Sequence, residues 1–170
     1  MKKKRIIFFS EDHVYGAMID QSLGARSDFE YGGWYKRVKR LVAVLKSTKP
    51  DFLLMDLAEK IDPYIIHAVK KYDQSLSLVI ISSRDDHESI RQTFKSGAHG
   101  YLIKYPDIQE TMQDVSKLAQ GGVALSASAA KSIVTRFWKT NNSPLTNTET
   151  KVLKFVSLGH TYSSLAKRLR

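Results

Sequence analysis

The chain has 170 residues, 42% of them hydrophobic, no cysteine and a formal net charge of +10. This length and composition suit one full domain with a smaller appendage, and they exclude wholesale disorder. The lack of cysteine excludes disulfides and cysteine-based zinc sites. Because no long uncharged apolar stretch occurs either, a cytoplasmic protein with no membrane partner is expected.

The positive charge is concentrated in the last quarter of the sequence. Residues 1–125 carry 19 basic and 16 acidic side chains, whereas residues 126–170 carry eight basic side chains and the single acid Glu149. A basic tail on a nearly balanced domain indicates a polyanionic partner such as nucleic acid, or else a solvated surface that favours solubility.

Strand-like and helix-like segments alternate through the first 125 residues. The predicted strands are Ile6–Phe9, Asp28–Tyr31, Phe52–Met55, Leu76–Ile81 and Gly100–Lys104. The predicted helices are Val14–Leu23, Tyr35–Ser47, Pro63–Val69, Asp86–Lys95 and Ile108–Ala119. Gly32-Gly33 is expected to break the chain before the second helix, and Gly97 and Gly121-Gly122 to stop the fourth and fifth. Five such units with short connections predict a doubly wound five-stranded parallel sheet with helices on both faces.

The pattern changes beyond residue 125. Ser126–Trp138 contains one strand-like fragment and then a helix-like run, and the polar segment Lys139–Pro144 is typical of a linker. Thr146–Glu149 has the spacing of a capping box, and Gly159 is well placed to end the helix that would follow. Ser163–Leu169 would form a second short helix.

Polar side chains stand where four of the predicted strands end. Glu11 and Asp12 follow the first strand, Asp56 and Ser82 end two central apolar runs, and Lys104 ends the last. Because the carboxyl ends of parallel strands share one edge of a sheet, these side chains are expected to converge there. Crowded acids need a cation to neutralise them, so the pattern predicts a divalent-metal and phosphoryl site.

Several short segments carry a resemblance to a known family. Ser-Glu-Asp-His (10–13), Leu-Met-Asp-Leu (54–57), Ile-Ser-Ser-Arg-Asp-Asp (81–86) and Gly-Ala-His-Gly-Tyr-Leu-Ile-Lys (97–104) occur in the order seen in receiver domains. Residues 144–159 match the entry helix of a LuxR-type helix-turn-helix, and residues 163–169 match the first helix of that motif. Together, these segments resemble the two-component response regulators of the NarL/FixJ class.

The resemblance implies a three-part organisation. Residues 1–125 would form a flavodoxin-like receiver domain, residues 126–143 a helical linker, and residues 144–170 the N-terminal part of the helix-turn-helix. This last part would be a small, incomplete all-α segment without a recognition helix. Base-specific reading of DNA by residues 144–170 alone is therefore not expected.

The resemblance also implies a chemistry, that of a phosphoacceptor regulator rather than an enzyme. Asp56 would accept a phosphoryl group from a sensor histidine kinase, with Lys104 and Ser82 contacting the phosphate and Tyr101 rotating inward as a switch. The cofactor would be Mg²⁺, held by Glu11, Asp12, Asp56 and a backbone carbonyl near Ala58. The residues implied to contact DNA phosphates are Lys151, Lys154, Lys167, Arg168 and Arg170.

Other interpretations stay open at this point. Glu11 stands where the family usually has aspartate, and the loop Leu-Ala-Glu-Lys-Ile-Asp-Pro (57–63) lacks the family's Met-Pro-Gly and Asp-Gly features. In that loop, Lys60 could enter the acidic pocket or point to solvent. The altered loop and the missing recognition helix favour a phosphorylation-independent regulator that acts through partner or dimer contacts. A small enzyme or nucleotide binder is disfavoured because the chain has no Gly-x-Gly-x-x-Gly or phosphate-binding Gly-Lys-Ser/Thr loop.

Overall fold

The computed structural model describes residues 3–57, 62–104 and 107–139, with side chains described as far as residue 135. The strands are β1 (Lys4–Phe9), β2 (Phe29–Tyr35), β3 (Phe52–Asp56), β4 (Ser77–Ser82) and β5 (Gly100–Ile103). The helices are α1 (His13–Gly24), α2 (Val38–Thr48), α3 (Pro63–Tyr72), α4 (His87–Lys95), α5 (Ile108–Ala119) and α6 (Ala127–Lys139).

The five strands form one parallel sheet in the order β2-β1-β3-β4-β5, which confirms the predicted doubly wound architecture. From β1 the chain goes out to the edge strand β2, and it then returns to the other side of β1 to form β3. The carboxyl ends of β1 and β3 therefore lie at the point where the strand order reverses. Open sheets of this type bind their ligands in the crevice at that point.

Both faces of the sheet are covered by helices. In β1, Ile7 and Phe9 pack with side chains from α2, α3 and α4, whereas Ile6 and Phe8 pack on the opposite face with α1 and α5. This double burial explains the unbroken apolar runs in the central strands, because side chains on both faces leave water. Each fully buried Ile, Leu or Phe contributes roughly 1.5–3 kcal/mol of transfer free energy.

The second strand differs from its prediction. The expected strand ended at Tyr31 with a break at Gly32-Gly33, but β2 continues through both glycines to Tyr35, and α2 begins only at Val38. A Cβ at Gly32 would lie 2.7 Å from Ile7 Cγ2, so the missing side chain lets β2 approach β1. Gly33 has a φ of 100° and lies where the register between the two strands shifts. These glycines serve a bulge inside the strand.

The segment after α5 lies along the outer edge of β5. The Tyr101 N–H donates to the Ala124 carbonyl at 3.0 Å, and the Ser126 N–H donates to the Tyr101 carbonyl at 3.1 Å. The strand-like fragment expected within Ser126–Trp138 is not present, because α6 begins at Ala127; the parallel bridge to Tyr101 is made by Leu125 instead. Helix α6 follows and packs on α4 and β5, with Ala129 fully buried. The helix expected within Ser126–Trp138 is thus present and rests on the sheet domain.

Some predictions lie outside the described residues, namely the linker segment from residue 140 and both helices of residues 144–170. The division at residues 125 and 143 stays a prediction. Among the helices that the structure describes, none is long and apolar enough to span a membrane.

The close passage of residues 124–126 past β5 leads to a stability prediction. A Cβ at Gly100 would overlap the backbone carbonyl oxygen of Ala124 and press on Val79, and a backbone atom cannot rotate away. We expect Gly100→Ala to lower the free energy of unfolding by about 1–3 kcal/mol, measured by urea denaturation. Gly24→Ala is the matched control, because its Cβ would meet only Tyr31 Cδ1 at 4.0 Å. A Gly100→Ala protein as stable as the native chain would contradict the close contact.

Candidate functional site

One ammonium group joins three strand ends at the carboxyl edge of the sheet. Lys104, which follows β5, donates from Nζ to Asp12 Oδ2 at 2.8 Å and to Asp56 Oδ2 at 3.2 Å. Asp12 lies between β1 and α1, and Asp56 is the last residue of β3. The side chain of Asp56 is 1% exposed and that of Lys104 is 17% exposed. The predicted convergence of Asp12, Asp56 and Lys104 is therefore present.

The two oxygens of the Asp56 carboxylate have different surroundings. Oδ2 accepts hydrogen bonds from Lys104 and, at 2.8 Å, from the Ser10 hydroxyl. Oδ1 is buried and has no hydrogen-bond partner. Burial raises the pKa of Asp56, although the Ser10 hydrogen bond and the Lys104 charge act to lower it. Asp56 is thus a desolvated carboxylate with one oxygen held and the other free.

Asp12 has the opposite electrostatic character. It is the N-cap of α1, where Oδ1 accepts from the backbone N–H groups of Val14 and Tyr15 at 2.9 and 3.0 Å. The hydrogen bond from Lys104, followed by the one from the Tyr15 backbone, lowers the pKa of Asp12. Asp12 is therefore held as an anion, and the N-terminus of α1 fixes its position. The neighbouring carboxyl of Asp56, by contrast, is harder to ionise because it is buried.

Tyr15 forms the wall against which Lys104 packs. The Lys104 ammonium lies 4.0 Å from the centroid of the Tyr15 ring, a cation–π contact. The Tyr15 hydroxyl is 3.2 Å from the Thr111 hydroxyl in α5, and burial raises the pKa of Tyr15 to about 12. Tyr15 thus stays neutral in the physiological range and helps to orient the ammonium towards the carboxylates.

Three residues of this arrangement escape the sequence analysis: Ser10, Tyr15 and Thr111. A signal existed for two of them. Ser10 is a hydroxyl residue that directly ends an apolar strand, and Tyr15 lies one helical turn beyond Asp12 on the same side of α1. No local pattern marks Thr111, whose contact with Tyr15 spans 96 positions of the sequence.

Ser82 and Tyr101 lie beside the carboxylates rather than among them. The Ser82 hydroxyl is fully buried and accepts from the Arg84 N–H at 3.2 Å, and the Tyr101 hydroxyl donates to the Arg84 carbonyl at 2.7 Å. The Ser82 carbonyl accepts from the Lys104 N–H at 2.8 Å. The backbone of Ser82 is therefore hydrogen-bonded to the backbone of Lys104, and the ring of Tyr101 is already buried. The roles expected of both stay predictions.

The ligand set expected for Mg²⁺ is only partly described. Glu11 is exposed, Ala58 and Lys60 lie outside the described residues, and no group of three His, Asp or Glu side chains in the described ranges is arranged as a metal centre. Asp12 and Asp56 nevertheless meet within reach of one ammonium, and Asp56 Oδ1 has no partner. One or two carboxylates completed by water are what Mg²⁺ commonly uses, so the donor chemistry fits.

The residues expected to contact DNA all lie beyond residue 139, outside the described part of the chain. They are Lys151, Lys154, Lys167, Arg168 and Arg170. Their role stays a prediction.

Comparison with known proteins agrees with this fold. No family model matches the chain. The nitrate/nitrite response regulator protein homolog of Haemophilus influenzae is 26% identical over 175 residues, which cover 99% of this chain and 83% of that protein. The transcriptional regulatory protein DegU of Brevibacillus brevis is 22% identical over 139 residues, which cover 79% of this chain. The chain is thus similar to response regulators of the NarL/FixJ class.

Solved structures of this class share the fold. The receiver domain of RcsB from Salmonella enterica, solved with the phosphomimetic BeF₃⁻, superposes with a TM-score of 0.67 at 15% identity, covering 77% of this chain and 99% of that one. An RcsB–DNA complex superposes with a TM-score of 0.66 at 18% identity, covering 99% and 83% of the two chains. The match to DegU spans only 58% of that regulator's length. The activities of such whole regulators therefore enter below as proposals.

The asymmetry between the two carboxylates leads to a titration prediction. The pKa of Asp56 should exceed the usual 3.8 because of burial, whereas that of Asp12 should lie below it because of Lys104. A raised carboxyl pKa means that Asp56 removes stability as pH rises from 3.8 through its folded value. Ser10→Ala should raise the Asp56 pKa further, because it deletes a donor to the carboxylate. Carboxyl ¹³C NMR in metal-free buffer measures these values.

The distant carboxyl of Asp73 provides the control. The pKa of Asp73 is lowered by its hydrogen bond from Ser75, and the Ser10 substitution should leave it unchanged. An Asp56 that titrates at or below 3.8 in the native chain would show that Lys104 and Ser10 outweigh the cost of burial.

Proposed function

We propose that the chain is a response regulator that is phosphorylated on Asp56 and controls transcription. The observation that carries the proposal is the divided Asp56 carboxylate, in which Oδ2 is held by Ser10 and Lys104 while Oδ1 has no partner. A nucleophilic carboxylate needs this arrangement, with a fixed orientation and one oxygen whose lone pairs are available. The similarity to named regulators of the class supports the same function.

The phosphoryl step follows from these positions. Asp56 Oδ1 would attack the phosphorus atom of a donor, the phosphohistidine of a sensor kinase or a small acyl phosphate, and the bond from phosphorus to the donor would break. The Lys104 ammonium would then offset negative charge on the transferred group, and the Ser82 hydroxyl would donate to one of its oxygens. Mg²⁺, when bound, supplies further neutralisation of the phosphoryl oxygens. Its ligands would be Asp12, Asp56 and the Ala58 carbonyl, with Glu11 directly or through water.

A path from the site to the linker supports a transcriptional output. The Lys104 N–H is bonded to the Ser82 carbonyl, and three residues earlier in β5 the backbone of Tyr101 is bonded on both sides to residues 124 and 126. A shift of Ser82 towards a phosphate would therefore act on the strand that holds the start of α6. Tyr101 would be the switch residue of this path. The basic tail would contact DNA, in a cytoplasmic protein that forms a homodimer.

One observation favours the alternative, a receiver-like regulator that works without phosphorylation. The Lys104 ammonium already bonds both Asp12 and Asp56, and Asp56 is 1% exposed. An internal cation in this place reduces the need for a metal, and a phosphodonor reaches Asp56 only when the side chains above it separate. In this alternative the carboxylate–lysine contact is structural, and regulation proceeds through protein contacts.

Phosphoryl uptake separates the two functions. With Mg²⁺ and acetyl phosphate, we expect the native chain to gain one phosphoryl group, detected as a mass shift of the intact protein, and Asp56→Asn to gain none. Asp73→Asn is the matched control, because Asp73 follows α3 at the opposite edge of the sheet and should leave uptake unchanged. If the folded native chain takes up no phosphoryl group, the phosphorylation-independent alternative replaces the first proposal.

The proposed contact of the tail with DNA predicts a defined salt dependence. Each lysine–phosphate contact contributes about −0.9 to the slope of log K against log salt concentration. Replacing Lys151 and Lys154 by glutamine should therefore make the slope shallower by about 1.8, measured by fluorescence anisotropy with two duplexes of unrelated sequence. The same charge change at the exposed lysines Lys71 and Lys95 is the control. Equal effects of the two double variants would count against the tail as the DNA-contacting part.

A further inference from the structure

A second recognition feature lies at the carboxyl end of β2, beside the carboxylate site and separate from it. A cleft of about 400 Å³ opens there, lined by Trp34, Tyr35, Lys36, Arg37 and Arg40. Its volume falls in the range of small-molecule sites, which is roughly 300–1,000 Å³. Two aromatic residues and three cations in one cleft are an unusual lining, and the proposed phosphoryl chemistry at Asp56 uses none of them.

The cleft lies in the most basic part of the sheet domain. Residues 31–50 contain six lysines and arginines and no acid, although residues 1–125 as a whole are nearly balanced. The ion pairs found in the described ranges involve other cations, and none uses Lys36, Arg37 or Arg40. Cations that form no ion pair produce a positive potential that a cleft focuses on an anionic ligand.

The Trp34 indole is held in place before any ligand arrives. The Trp34 Nε1–H donates to the Ser10 carbonyl at 2.9 Å, and the indole fills the space above Gly16, where a Cβ would overlap it. The Tyr35 hydroxyl donates to the Gly32 carbonyl at 2.7 Å. Lys36 Nζ lies 4.0 Å from the centroid of the Trp34 ring, so one cation already rests on the aromatic surface. A fixed indole loses little entropy when a planar group stacks on it.

We propose that this cleft binds a small phosphorylated ring compound of the nucleoside monophosphate class. The planar base would stack on the Trp34 indole in the place that the Lys36 ammonium now covers. The guanidinium groups of Arg37 and Arg40 would bind the phosphate, since arginine presents paired donors that match phosphate oxygens. The combination selects a ligand that is both planar and anionic, rather than a free anion or a neutral ring.

Tryptophan fluorescence tests the proposal directly. The chain has two tryptophans, so Trp138→Phe leaves Trp34 as the only indole reporter. At about 150 mM NaCl, where weak surface attraction is screened, AMP should quench the Trp34 emission to saturation. Adenosine supplies only the planar base and inorganic phosphate only the anion, so each should bind at least about tenfold more weakly than AMP. Absence of saturable quenching by millimolar AMP would overturn the proposal, and so would equal affinities for AMP and phosphate.

Matched variants assign the binding to the cleft. In the Trp138→Phe background, Arg37→Gln and Arg40→Gln should each weaken AMP binding by about fivefold or more, whereas Lys46→Gln, on the same helix but outside the cleft, should not. Unchanged urea unfolding of the arginine variants would show that the loss is local. Equal losses in all three variants would indicate non-specific charge and overturn the proposal. A single-stranded oligonucleotide that displaces AMP and binds far more tightly would replace it with a nucleic-acid surface.

Discussion

The position of the Lys104 ammonium between Asp12 and Asp56 is the constraint on which the carboxyl edge of the sheet depends. Two carboxylates that share one ammonium would repel each other without it, and its charge offsets that repulsion. The compensation is unequal. Asp12 also receives the N-terminal amides of α1, so its pKa falls, whereas Asp56 bears the cost of burial and its pKa rises. The carboxyl of Asp56 is therefore harder to ionise than that of Asp12, although both bond the same ammonium.

Strand β5 connects this constraint to the rest of the chain. It carries Lys104 just beyond its carboxyl end and Tyr101 in its interior, and its outer edge is covered by residues 124–126. An edge strand left open would be a site for unwanted pairing, and residues 124–126 cover it. Gly100 makes the approach possible, because a side chain there would collide with the Ala124 carbonyl. Lys104 follows Tyr101 by three residues, and Tyr101 is hydrogen-bonded to residues 124 and 126, just before α6 begins. A movement of Lys104 would thus act close to the start of α6.

Local sequence patterns and the geometry of parallel sheets predict most of the fold and part of the site. Alternating runs located all five strands, and strand ends correctly placed Asp12, Asp56 and Lys104 together. Gly32-Gly33 was misinterpreted as a break, because a glycine required for a close approach to Ile7 looks the same in sequence as one in a turn. The contact of Ser10 with Asp56 spans 46 positions and depends on strand register, which a single sequence does not contain.

Ser10 also separates two regions of opposite charge at one edge of the sheet. Its hydroxyl holds Asp56, while its N–H donates to the Tyr35 carbonyl and its carbonyl accepts from the Trp34 indole. The acidic crevice and the basic cleft are therefore joined through the backbone of one buried residue. An anion is repelled by the carboxylates but attracted by Lys36, Arg37 and Arg40, the cations that line the cleft. The cations of the cleft thus attract anions to an edge of the sheet where the acids alone would repel them, although the net charge of residues 1–125 is small.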